Sequence, residues 1–256
     1  VSNPLEWFYM GWGNNYFRTP LYQRIGIEPA RFDETSFKTF LADFTEDINA
    51  LAADYPDIRK EQAEDGVKTY YAREITACGY TSPHSWQHVK KPLVNPLYSA
   101  AGVLGFMGPF FCETQVNLDV TAIEYPYVMA HETAHLAGVT SEAEASYWAY
   151  AYCRQSDDLA VRYSGCLSLL PYVTSQAMTL LPEDEFEAWK ASLSVKAVAD
   201  YSHISSYWKG KRVAWIDKLQ RAVMDTYLKS NNVTEGAADY KGVIGILMTM
   251  DARESE

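Results

Sequence analysis

The stretch that most constrains this chain is residues 131–146, HETAHLAGVTSEAEAS. His131 and His135 are four residues apart, about 400° on a helix, so both imidazoles leave one face and can reach a single ion. Glu132 lies about 100° round from His131, beside such an ion and placed to take a proton from a water there. The residues around them (Val128, Met129, Ala130, Ala134, Leu136, Ala137) are apolar and small. Such a helix is buried, and buried histidines and glutamates need partners. Two histidines leave a catalytic zinc one protein ligand short, with a fourth position to be kept open. Gly138 lets the backbone reverse, so a following helix can run back past the ion. Glu142 and Glu144 are both candidates for the third ligand; they sit about 200° apart on that helix, so only one can face the ion.

The rest of the chain reads as mainly α (α+β) in one domain, 1–256. Asp33 to Ser36 offers N-caps, after which Phe37, Phe40, Leu41, Phe44, Ile48 and Leu51 recur at helical spacing, with Pro56 closing the helix. A second helix is predicted from Ile58 to Thr76. The first thirty residues, containing GWGNNYFRTPLYQRIGI, read as an irregular aromatic segment lying on a core. Residues 79–96 are turn-rich and read as a loop, and AAGVLGFMGPFFCETQVNLD fits short extended segments of a small sheet. The motif helix runs from Glu124 to Ala137 with Pro126 in its first turn, and Ser141 caps the next, Glu142 to Arg154. Further helices are predicted over 157–169, 173–180, 183–193, 195–208, 212–228 and 240–250.

Bulk properties exclude some classes. The formal net charge is −11 over 256 residues, with no basic stripe, so nucleic acid is not expected as a partner. No segment approaches the ~20 uninterrupted apolar residues of a membrane span; Val94 to Phe111 is broken by Pro96, Gly102, Gly105, Gly108 and Pro109. Val1 is not an initiator methionine, which is read as a chain processed or trimmed ahead of it. Cys78, Cys112, Cys153 and Cys166 form no CxxC pair and read as small buried thiols, with one bridge possible.

Glu142-Ala-Glu-Ala-Ser146 resembles the E-x-x-[AS]-[DN] helix of zincin metallopeptidases that use a glutamate as third ligand. The resemblance implies that Glu142 binds the metal and that Ser146, four residues on, steadies the first histidine; serine is shorter than the usual Asp or Asn. A wider likeness covers nearly the whole chain. Lys91-Pro92 through GVLGFMGPFFCETQVN, then HETAHLAGVTSEAEASYWAYAYC, then RYSG at 162–165, with the early GWGNNYFRTPL and late DYKGVIGILM, are similar to the bacterial family called domain of unknown function 3810. That likeness implies a zincin-like, metallopeptidase-like domain outside the cytoplasm, anchored in the cell membrane by helices ahead of Val1. The family usually carries E-x-E-A-N, where this chain has Ser146.

The expected activity is therefore zinc-dependent hydrolysis of a peptide or protein substrate, with Zn2+ on His131, His135 and Glu142 and with Glu132 as general base. Arg162 and Tyr163, in the RYSG stretch, either stabilise an oxyanion near zinc or pack the next helix, and Tyr163 is carried forward as a catalytic candidate. Glu113 and Asn117 read either as part of an edge strand that holds an extended peptide or as a turn-stabilising pair. His84 and His88 share the i, i+4 spacing but lack an acidic third partner, and His203 reads as structural. The rival class is a metal-bearing sensor or interaction domain without catalysis, in which a fourth protein ligand would close the site.

Overall fold

The computed structural model describes residues 10–29, 33–53, 59–216 and 240–254, with positions 6, 218, 220 and 222. A 3-10 segment, Trp12–Phe17, leads into α1 (Leu21–Ile25), α2 (Glu34–Ala53), α3 (Lys60–Ala77) and α4 (Asn95–Ala101). The strands β1 (Gly105–Gly108) and β2 (Glu113–Val116) follow, then α5 (Tyr125–Leu136), α6 (Glu142–Gln155), α7 (Leu159–Leu180), α8 (Glu183–Ser192), α9 (Val195–Lys211) and α10 (Tyr240–Glu254). The fold is mainly helical with one small antiparallel sheet, the class the sequence predicts. Part of the predicted helix 212–228, and Pro56, fall outside the described residues.

The helix α5 sits in the middle, packed on α3, α6, α7 and both strands. It is buried on nearly every side, from Tyr125 to Ala134, as its small apolar composition requires. Glu124 accepts hydrogen bonds from the Thr121 N–H (3.1 Å) and hydroxyl (2.7 Å), which satisfies donors at the helix entrance. Around α5, Phe37 and Ile48 of α2, Tyr71 and Ile75 of α3, Leu169 of α7 and Ile244 of α10 are fully buried in one core cluster. The helix α2 starts as predicted: the Ser36 N–H donates to Asp33 Oδ1 at 2.9 Å.

Three expectations need correcting. The predicted helices 157–169 and 173–180 are one helix, α7, running through Pro171. An internal proline costs about 3 kcal/mol, but Leu169, Leu170, Val173 and Ala177 on either side of it are buried, each large one contributing roughly 1.5–3 kcal/mol. Core burial outweighs the missing hydrogen bond. Residues 95–101, split between a loop and an extended segment in the sequence reading, form α4, because Pro96 lies in a first helical turn, where its missing N–H is harmless. The aromatic N-terminal segment is not irregular throughout, since it holds the 3-10 turn and α1.

Strand β1 pairs antiparallel with β2, Gly105 opposite Val116 and Gly108 opposite Glu113. Lys90 covers the other edge of β2: its N–H donates to Thr114 O (2.7 Å) and its carbonyl accepts from the Val116 N–H (3.2 Å). Cys78, Cys153 and Cys166 are buried free thiols as expected, whereas Cys112, at the hairpin tip, is an exposed free thiol. Among the described residues no helix is long and apolar enough to cross a membrane.

Candidate metal centre

Two helices and the turn between them build the site. The helix α5 ends in a Schellman turn, with the Val139 N–H donating to Ala134 O (3.1 Å) and the Gly138 N–H to His135 O (2.9 Å). Gly138 carries φ +103°, which only glycine adopts without strain. The chain reverses there, and Ser141 caps α6 by accepting from the Glu144 N–H. This turn lays the first turn of α6 alongside the histidines.

His131 Nε2 lies 3.1 Å from His135 Nε2 and 3.2 Å from Glu142 Oε2, and His135 Nε2 lies 3.6 Å from Glu142 Oε1. Among the described residues these three form the one group of His, Cys, Asp and Glu with metal-ligand spacing. The fit to zinc is numerical. Zn–N and Zn–O bonds of about 2.0–2.1 Å put tetrahedral ligands about 3.3 Å apart, the separations found here. The far nitrogens are occupied: His135 Nδ1 meets Val139 O at 2.8 Å, and His131 Nδ1 meets the Ser146 hydroxyl at 3.3 Å. Both Nε2 atoms are thereby turned inward, as metal-ligating histidines require. The Glu142 side chain is 29% exposed, so the group is open to solvent on one side.

Electrostatics match the geometry. Burial would hold His135 neutral, but the Glu142 carboxylate beside it more than offsets this and raises its pKa to about 9. Burial works against the Glu142 carboxylate too, yet the two imidazoles hold it well below the usual carboxylate range. Burial pushes Glu132 up, against the pull of the His131 and His135 imidazoles. The β1 backbone lies directly on Glu132. A Cβ at Gly105 would stand 2.5 Å from Glu132 Cγ, and the Met107 backbone beside it offsets a small part of the upward push.

Glu144, the other ligand candidate, faces away. It accepts from the Tyr80 hydroxyl and from Trp148 Nε1 (3.2 Å), with the Arg24 guanidinium 3.6 Å off. Ser146 reaches His131 despite its short side chain, and the Tyr172 hydroxyl backs it at 3.4 Å. The Tyr127 ring stacks beside His131. Tyr163 is fully buried on α7 and donates its hydroxyl to Asp200 of α9 at 2.8 Å. Arg162 points to Asp47 of α2 at 3.7 Å. These contacts are helix-packing ones. Glu113 and Asn117 do not act as a pair: Asn117 is buried with its amide on Val103 O (2.9 Å) and on Ser99, while Glu113, at the start of β2, pairs with Lys90. His88 does have an acidic neighbour, contrary to the sequence reading, Glu64 at 3.2 Å, but Lys68 Nζ lies 3.4 Å from the same ring and His84 is stacked on Trp86, a neighbourhood ill suited to a cation. His203 is exposed on α9.

Tyr172, Tyr127, Tyr80 and Arg24 were invisible as site residues in the sequence. They come from distant segments, and no local spacing links them to the histidines.

The family suggested by the sequence is the one the chain matches. The chain matches the family described as "Protein of unknown function (DUF3810)" over residues 2–248, and it belongs to that family. No curated protein and no solved structure matches it.

Proposed function

We propose that this protein is a zinc-dependent peptidase of zincin-like design, with His131, His135 and Glu142 as ligands and Glu132 as general base. The observation that carries the reading is the convergence of two inward-turned Nε2 atoms and one carboxylate at tetrahedral spacings of 3.1–3.6 Å, with a buried second glutamate alongside. Bound there, zinc would supply Lewis-acid polarisation of a scissile carbonyl and a water of lowered pKa. Glu132 takes the proton of the attacking water and passes it to the leaving amine.

Among the described residues no fourth His, Cys, Asp or Glu joins the ligand group, which favours an open position and an enzyme over a closed structural site. The non-catalytic sensor remains the rival reading. By analogy with zincin peptidases, the substrate proposed is a peptide or protein, and the setting proposed is a membrane-anchored domain outside the cytoplasm. The deciding experiment combines zinc analysis with hydrolysis of a quenched-fluorescent peptide mixture. Glu132→Gln should keep zinc and lose hydrolysis. Hydrolysis that survives the substitution sinks the mechanism, and a wild-type protein that holds zinc but cleaves nothing favours the sensor.

A further inference from the structure

We infer that the segment 12–25 and the buried Glu144 form a positioning clamp for the metal-bearing turn, setting the rotation of α6 so that Glu142 meets the two imidazoles; this rests on the metal-site reading above.

The segment touches that turn along its length. Trp12 Nε1 donates to the His135 carbonyl at 2.7 Å. Asn15 lies against Gly138, where a Cβ would come within 2.7 Å of its Oδ1. Arg18 and Arg24 donate to the carbonyls of Gly79 (2.9 Å) and Cys78 (2.7 Å), which leads to Tyr80. The Thr81 N–H then donates to Ala137 O at 3.1 Å. The Arg24 guanidinium also sits over the Tyr80 ring, 3.8 Å from its centre. Of these, Tyr80 and Arg24 reach Glu144 itself, by a hydroxyl hydrogen bond and a guanidinium 3.6 Å away, and Trp148 of the same helix also donates to it.

Glu142 and Glu144 leave opposite sides of the first turn of α6. Fixing one therefore fixes the azimuth of the other. A rotation of ~20° swings a carboxylate ~6 Å from the helix axis by about 2 Å, whereas ligand positions must be correct to about 0.2 Å. Stability alone is a poor account of the cluster, since a buried ion pair adds little over apolar residues of the same shape. What it supplies is orientation. Glu144, Tyr80 and Arg24 are positioning residues, acting on the metal through Glu142.

The test uses Tyr80→Phe, which removes one hydrogen bond and leaves every charge in place, and Glu144→Gln. Zinc affinity is read by competition with a chromophoric chelator, coordination geometry by the visible spectrum of the cobalt(II)-substituted protein, and folding by the melting temperature of the metal-free form. Wild type should bind zinc, and Glu142→Ala should not; a wild type that binds none defeats the metal reading itself, separately from the clamp. Both positioning variants should fold, bind zinc about tenfold more weakly and show an altered cobalt spectrum. A lower melting temperature with unchanged zinc affinity and cobalt spectrum would overturn the clamp. So would a Glu144→Gln protein as metal-free as Glu142→Ala, which would make Glu144 a ligand. If Glu144→Gln does not fold, Tyr80→Phe decides alone.

Discussion

Gly105→Ala is the substitution whose consequences can be worked furthest from the structure. The added Cβ would stand 2.5 Å from Glu132 Cγ, 2.7 Å from Oε1 and 2.8 Å from Cδ, against an ordinary contact of 3.4 Å or more. Something must give by about 1 Å. Two partners can yield: β1, which is held to β2 along its length, and the Glu132 side chain, which is buried. Overpacking of this kind costs about 1–3 kcal/mol, or a fall in melting temperature of roughly 2–4 °C per kcal/mol for a chain of this size. The larger effect falls on proton transfer, because a ~1 Å displacement of a reacting group can cost about 100-fold in rate. The clash is with the Glu132 side chain and not with the proposed ligands His131, His135 and Glu142, so zinc affinity should hold. The assay is peptide hydrolysis, chelator competition and calorimetry on one preparation. A Gly105→Ala protein that hydrolyses at the wild-type rate would refute the assignment of Glu132 under β1 as the base; lost zinc binding would refute its separation from the ligands.

Other outcomes follow from the same geometry. Zinc at about 100 times its dissociation constant should stabilise the wild type by about 2.7 kcal/mol, seen as a raised melting temperature that is absent in Glu142→Ala and retained in Glu132→Gln. Ser146→Ala removes the oxygen on His131 Nδ1 and should weaken zinc binding about tenfold, measured by chelator competition. Tyr163→Phe deletes one partly buried hydrogen bond to Asp200; it should cost about 1 kcal/mol of stability and leave zinc affinity and hydrolysis unchanged, and a large loss of rate would restore Tyr163 to the catalytic machinery. The Ser99 hydroxyl, and then Lys211, hold the Asp119 carboxyl below its usual range. That stabilisation is present above the unfolded carboxylate pKa and lost as pH falls through the lower folded one. Ser99→Ala should therefore shrink the drop in melting temperature between neutral and acid pH.

The parts legible in the sequence were those set by local periodicity. The spacing of His131 and His135, the reversal at Gly138 and the Ser141 cap all act within one or two helical turns, and the structure places α5 and α6 within a residue or two of prediction. The choice between Glu142 and Glu144 was not local. It depends on the rotation of α6 against α5, for which the contacts of Glu144 with Tyr80 and Arg24 are the proposed determinants, and neither residue announces itself by spacing. Tyr163 was a candidate through the RYSG stretch, and its hydroxyl is drawn to Asp200 across the α7–α9 contact, a partner no local spacing reveals. Pro171 and Pro96 failed for a related reason, since a proline's local preference was outweighed by burial in one case and was compatible with a helix start in the other.

The strongest rival account of the site is a pair of core histidines salt-bridged to a glutamate. Such a pair needs only one nitrogen on the carboxylate, and it gains nothing from bringing the second ring in. Here both rings present Nε2 to the same carboxylate, and the two nitrogens stand 3.1 Å from each other. Two lone pairs at that distance repel unless a proton or a cation lies between them. Each ring is nevertheless held there from behind, by Val139 O and by Ser146, and the carboxylate is brought in by a turn that requires a positive-φ glycine. A protonated His135 relieves that repulsion in a salt bridge as well, but the proposed divalent ion would in addition use the second ring and the hold on each far nitrogen.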